Sequence, residues 1–135
     1  MWRAGALAIC LTGVIRLLLG EYHYSAGMAA PTVQESIDHL TAAGEAYPWH
    51  FRFRTAQAMQ LFALLDRIPE LAAPATISLA LALAVDPGSA EQASKLLIAQ
   101  RLRGDCDGAM ATAAHLRRLA PRSEKAQRLL KSGCE

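Results

Sequence analysis

Aromatic residues are scarce in this chain: Phe, Trp and Tyr make up only 6% of its 135 residues. Runs of Val, Ile, Thr and aromatics with period-two alternation are absent, which argues against a sheet. Cysteine is also sparse, with three residues and no Cys-x-x-Cys or Cys/His spacing that suits zinc or haem. The four histidines, His23, His39, His50 and His115, include no pair at the i, i+4 spacing with Glu that marks a metal site. No Gly-x-Ser-x-Gly, phosphate loop or dinucleotide fingerprint occurs. Asp105 and Asp107 flank Cys106 at a helix start. There they suit the helix macrodipole and oppose a nucleophilic thiolate. The pattern is that of a non-enzyme without catalytic residues, cofactor or metal.

Basic residues are missing from one stretch and concentrated in another. From Leu17 to His50 there is no Lys or Arg, but there are Glu21, Glu35, Asp38 and Glu45. From Lys95 to Lys131, nine basic residues stand against three acids, so this segment carries 9 − 3 = +6. The overall charge of +2 does not point to nucleic acid. The local excess suits a docking face for an acidic partner or for anionic lipid headgroups.

Hydrophobic residues reach 53%, mostly Ala and Leu. Both are strong helix formers, and the chain reads as all-α. Ala4 to Leu19 is apolar except for Thr12 and Arg16, and Glu21-Tyr22-His23-Tyr24 supplies the aromatics found at headgroup boundaries. This predicts an N-terminal transmembrane anchor over residues 1–25, touching lipid through residues 4–24. Arg3 before the segment and the lack of basic residues from Leu17 to His50 orient its N-terminus toward the cytoplasm. The expected location is then the inner membrane, single-pass, with the C-terminal domain periplasmic. A secretory signal cleaved near Gly27-Met28-Ala29 is the competing reading. Residues 26–31 read as a linker and 32–135 as the domain. Cys106 and Cys134 lie in the exported part, where such a pair can form a disulfide.

Punctuation along the domain predicts about six short antiparallel helices. Thr32-Val33-Gln34-Glu35 and Ser89-Ala90-Glu91-Gln92 match capping boxes. Helices are expected over 33–44, from Tyr47-Pro48-Trp49 to Leu65, over 75–85, 90–102 and 106–119, and from Ser123 to Lys131. Gly44 is expected to end the first of these, and Ala75 to Val85 reads as a buried core helix.

Pro87 and Pro121 stand 34 residues apart, and at this offset Ala80 falls on Ala114, Ser89 on Ser123 and Leu96 on Leu130. With Leu96 in a first helix, Gly104 at the turn and Ala109 early in a second helix, Asp86 to Ser123 resembles one tetratricopeptide (TPR) unit. The departures are Ala93 and Gln100 in place of aromatics, Leu97 for Gly, Ala113 for Phe and Leu116 for Ala. A degenerate unit precedes it. The resemblance implies a TPR-like α-solenoid and a protein–protein interaction or scaffolding role in a membrane or envelope complex. The alternatives are a structural subunit held by the membrane helix and an accessory factor in polysaccharide assembly. Binding would use the groove made by the first helices and the basic face of 95–131. The stretch Tyr47 to Arg54 (YPWHFRFR) is also similar to the repeat tail of bacterial polysaccharide ligases and polymerases, which implies an envelope location.

Trp and Arg are enriched at interaction hot spots. Trp49, His50, Arg52 and Arg54 form the densest such group, and Arg101, Arg117 and Arg118 belong to the basic segment. These seven residues are the expected partner-binding set.

Overall fold

The computed structural model describes residues 2–133. Among them are seven α-helices and no strand: α1 Trp2–Ala29, α2 Val33–Ala46, α3 Phe51–Ala63, α4 Ala72–Val85, α5 Ala90–Leu102, α6 Cys106–Leu119 and α7 Glu124–Ser132. A 3-10 turn, Pro69–Leu71, leads into α4. The chain divides into two compact units, Met1–Gln57 and Ala58–Glu135.

One kind of turn recurs four times. Tyr47, Ile68, Asp86 and Ala120 each precede a proline and share nearly one conformation, with φ/ψ of −139°/82°, −135°/79°, −127°/80° and −135°/83°. The proline ring clashes with a helical preceding residue, so the helix or turn before it must stop there. Each of the four still donates its own N–H to the carbonyl four residues back, at 2.7–3.2 Å. Its carbonyl then accepts from the residue three further on, at 2.9–3.2 Å. Pro87 and Pro121 are therefore two members of a set that also includes Pro48 and Pro69.

Four helix starts are capped by side chains. Thr32, Ser89, Asp105 and Ser123 accept from the backbone N–H three residues on, at 3.3, 3.3, 3.0 and 3.5 Å. Each satisfies one of the orphan donors of a helix N-terminus. Gly44 does not end α2, which runs on to Ala46. Instead it is buried, and a Cβ there would lie 3.2 Å from Arg54 Nη1. Tyr47-Pro48-Trp49 makes the turn, and α3 begins at Phe51.

In the first unit α1 packs against α2. Its contact half begins at Gly20, which lies against the ring of Phe53, and continues to Gly27, which lies against Leu40. Phe53, Leu40 and Ala43 are buried at 0–1% exposure. The Phe53 ring is stacked on His50, with centroids 4.3 Å apart, and lies 5.7 Å from Tyr24. Gln57 Nε2 donates to Thr41 Oγ1 at 2.8 Å.

This packing overturns the expected membrane anchor. Among the described residues, no helix is long and apolar enough to cross a membrane. α1 has the length, at 28 residues, but its apolar part does not. Ala4 to Leu19 rises only about 24 Å at 1.5 Å per residue, against the roughly 30 Å of a hydrocarbon core. Beyond it, Glu21 pairs with Arg52 at 3.5 Å and Tyr24 lies 4.9 Å under the Arg52 guanidinium. These aromatic and charged groups, expected at a headgroup boundary, are folded onto α2 and the start of α3. The anchor over 1–25, the lipid contact through 4–24 and the single-pass inner-membrane location are all corrected on this ground. α1 also continues helically to Ala29, through most of the segment expected as a linker.

In the second unit α4 packs on α5, α5 on α6 and α6 on α7. Ala93, Leu97, Ala109, Ala113, Leu116, Ala126 and Leu129 form one core cluster, each at most 2% exposed. Leu97, Ala113 and Leu116, which depart from the TPR pattern, sit in this single cluster. Small Ala109 and Ala113 beside large Leu97 and Leu116 fill the space between α5 and α6. α4 is buried on one side only: Leu79 and Ala82 are enclosed, but Ile77 and Leu81 are 59% and 42% exposed.

Candidate interaction surface

The Tyr47-Pro48-Trp49 turn presents its tryptophan outward. Pro48 fixes φ and forces Tyr47 out of the helical region, so α2 ends and Trp49 cannot fold back along it. Trp49 is 81% exposed, the most exposed of the large apolar side chains described. Facing the turn is one stripe of α1: Ile9, Thr12, Gly13 and Arg16, at the i, i+3, i+4, i+7 spacing of a single helix face. Together with Ala8 they enclose a cleft of about 460 Å³ with Tyr47, Pro48 and Trp49. That volume suits a few side chains of a bound segment.

The cleft is apolar at its floor and charged at one end. Gly13 leaves it open, since nothing lies within 4 Å of where a Cβ would stand. Arg16 has no ion-pair partner among the described residues. Its guanidinium is free to take a carboxylate, with two parallel N–H donors available.

Of the expected binding residues, the structure gathers Trp49, His50, Arg52 and Arg54 around this turn but leaves only Trp49 unengaged. His50 stacks on Phe53 and lies parallel to Phe51, with centroids 5.9 Å apart. Its Nδ1 is buried and makes no hydrogen bond. Arg52 is held by Glu21 and Tyr24. Arg54 Nε donates to the Pro48 carbonyl at 3.3 Å and braces the turn from inside.

In the second unit Arg101 and Arg117 are exposed near the ends of α5 and α6. Arg118 Nη2 lies 3.3 Å from His115 Nδ1, and His115 Nε2 lies 3.0 Å from the Pro87 carbonyl. A carbonyl can only accept, so Nε2 carries the proton and Nδ1 accepts from Arg118. His115 thus ties α6 to the Pro87 turn. Cys10 is a free, exposed thiol, whereas Cys106 is not free. Cys134, named with Cys106 as a disulfide pair, lies outside the described residues.

Two features escaped the sequence. The stripe 9/12/13/16 is one helix face, inside the segment whose composition points to lipid. His23 and His39 are 16 residues apart on different helices, yet their Nδ1 atoms stand 3.1 Å from each other. No local spacing signals such a contact.

No protein-family model matches the chain, and no curated protein does. The likeness of Tyr47 to Arg54 to a polysaccharide-ligase tail therefore finds no support. Solved structures do match. The first TPR domain of Spaghetti (RPAP3), bound to the HSP90 peptide SRMEEVD, is similar with a TM-score of 0.58 and 20% identity. The match covers 90% of this chain and 89% of that one. The NMR structure of the first TPR domain of human RPAP3 is similar with a TM-score of 0.58 and 21% identity, over 88% and 89% of the two chains. At that identity the likeness speaks for the fold: the chain is an all-α protein of TPR-like arrangement.

Proposed function

We propose that this chain is a TPR-like protein–protein interaction module that holds a short acidic, apolar-tipped segment of a partner protein. The observation that carries this reading is Trp49, exposed above a cleft with one uncommitted cation, Arg16. A rigid aromatic anchor with an arginine beside an apolar floor is what binding hot spots are made of. An apolar side chain of the partner enters the floor, and a neighbouring carboxylate meets Arg16. The exposed Arg101 and Arg117 of the second unit favour the same acidic class of partner. The RPAP3 domain supports it too, since the HSP90 peptide bound there, SRMEEVD, combines acids with Met and Val. The role is that of a scaffolding subunit that binds and does not turn over what it binds.

The test uses the full chain with Trp2→Phe, which leaves Trp49 as the single tryptophan. SRMEEVD and scrambled or lysine-substituted versions are titrated while Trp49 emission is followed. Binding of acidic, apolar peptides is expected to shift the emission to the blue and to weaken at least about tenfold in Arg16→Glu, the scale of a lost charge-assisted contact. Capture of a cellular partner that survives both Trp49→Ala and Arg16→Glu unchanged overturns this assignment of the surface.

A further inference from the structure

We propose that His23 and His39 form a two-histidine site for a divalent transition-metal ion, joining α1 to α2. The proposal is independent of the peptide cleft and uses none of its residues.

The two nitrogens have the spacing of two ligands on one ion. The Nδ1 atoms are 3.1 Å apart, on rings whose centroids are 5.4 Å apart and tilted by 37°. With metal–nitrogen bonds of about 2.0–2.1 Å, two imidazole nitrogens on one ion stand about 2.9 Å apart at a right angle and about 3.3 Å at the tetrahedral angle. The observed separation lies between the two. The 5.4 Å centroid separation leaves the two lone pairs along the line between the nitrogens, so an ion enters as both rings turn toward it.

The backbones set that separation. Gly27 sits one turn after His23, and a Cβ there would come within 2.9 Å of Leu40 Cγ and 3.2 Å of His39 Cβ. The helices are therefore as close as a glycine allows, beside the two rings, and Leu40 is 1% exposed. The Tyr22 ring packs edge-on to His23 at 5.3 Å. Both histidines are half-buried, so water reaches the open side and completes the coordination. No third His, Cys, Asp or Glu joins them among the described residues.

Without metal, one Nδ1–H donates to the other Nδ1. With metal, both Nδ1 lone pairs go to the ion. The donor ring moves its proton to Nε2, and two neutral rings lose no net proton. Imidazole ligands favour Cu²⁺, Ni²⁺ and Zn²⁺ over Mg²⁺ and Ca²⁺.

The test titrates the untagged full chain, in a Cys10→Ser background, with Zn²⁺, Ni²⁺, Cu²⁺ and Mg²⁺. It reads calorimetry, melting temperature and imidazole ¹⁵N shifts. One transition-metal ion per chain is expected, with Nδ1 of His23 and His39 shifting and a raised melting temperature. Mg²⁺ should have no effect. His23→Ala and His39→Ala should each weaken binding at least about tenfold, because even outer-shell changes at metal sites cost that much. His50→Ala and His115→Ala should leave it unchanged. If an alanine variant folds poorly, the wild-type ¹⁵N shifts decide. Shifts confined to other histidines, or no binding up to millimolar metal, overturn the site.

Discussion

Gly20 of α1 and Phe53 of α3 compete for the same space: a Cβ on residue 20 would stand 2.5 Å from Phe53 Cε2 and 3.1 Å from Cζ. The ring cannot swing aside, because it is fully buried and stacked on His50. Gly20→Ala should therefore destabilise the protein by about 1–3 kcal/mol, as overpacking does. Gly13→Ala meets nothing within 4 Å and should be neutral or stabilising, since Ala favours helix over Gly by roughly 0.5–1 kcal/mol. Urea denaturation of the two variants checks the contrast. Equal effects would show that α1 does not pack through Gly20.

Gly104 closes α5 with φ of +76°, and a Cβ there would meet nothing. The cost of Gly104→Ala is then purely conformational, about 1–2 kcal/mol for a left-handed L-residue. Gly104→Asn should recover part of it, because Asn tolerates that region. Thermal melting of the pair reads the difference.

Ser123 caps α7 through the N–H of Ala126. Ser123→Ala should lower stability by about 1 kcal/mol, whereas Ser123→Gly should cost only a few tenths. If the alanine variant were the more stable, the cap would be incidental. α7 covers Leu116 and Ala113 through Ala126 and Leu129, so local hydrogen exchange in α6 should rise along with it.

Two neighbouring aromatics should respond in opposite ways. Phe53→Ala empties the core of the first unit and should destabilise by about 3–5 kcal/mol. Trp49→Ala removes an exposed side chain and should change stability by less than about 0.5 kcal/mol while abolishing peptide binding. Circular dichroism melts and calorimetric titration with the same peptides together separate the roles.

The pairing of Cys106 with Cys134 is checked by peptide mapping under non-reducing conditions. A linked peptide is expected from the oxidised chain, and its reduction should lower stability by about 3–4 kcal/mol on the chain-entropy view for a loop of this size. Alkylation of both thiols without prior reduction would dismiss the bridge.

Local rules made much of this fold legible. Prolines stop helices through the residue before them, and hydroxyl or carboxylate side chains start them. Both effects act within three or four residues, so Thr32, Ser89, Pro87 and Pro121 could be read directly. Pro48 and Pro69 belong to the same set of turns but fall outside the 34-residue spacing, and counting alone passed over them. The candidate site was half legible. Trp49 was named from its chemistry, but Arg52 and Arg54 look equally available in sequence and are taken up by Glu21, Tyr24 and the Pro48 carbonyl.

The sequence by itself determined the all-α class, the order of helices after α1 and the repeat that ends at Pro121. These rest on backbone preferences and caps that need no distant partner. Only the tertiary structure decided what α1 is. Its apolar half reads as a membrane segment when judged by composition. Its second half is committed to the protein by Gly20 against Phe53, Gly27 against Leu40 and His23 against His39. Those contacts link residues 13 to 33 positions apart, and a glycine's value there lies in the neighbour it admits, which no local pattern in the chain reveals.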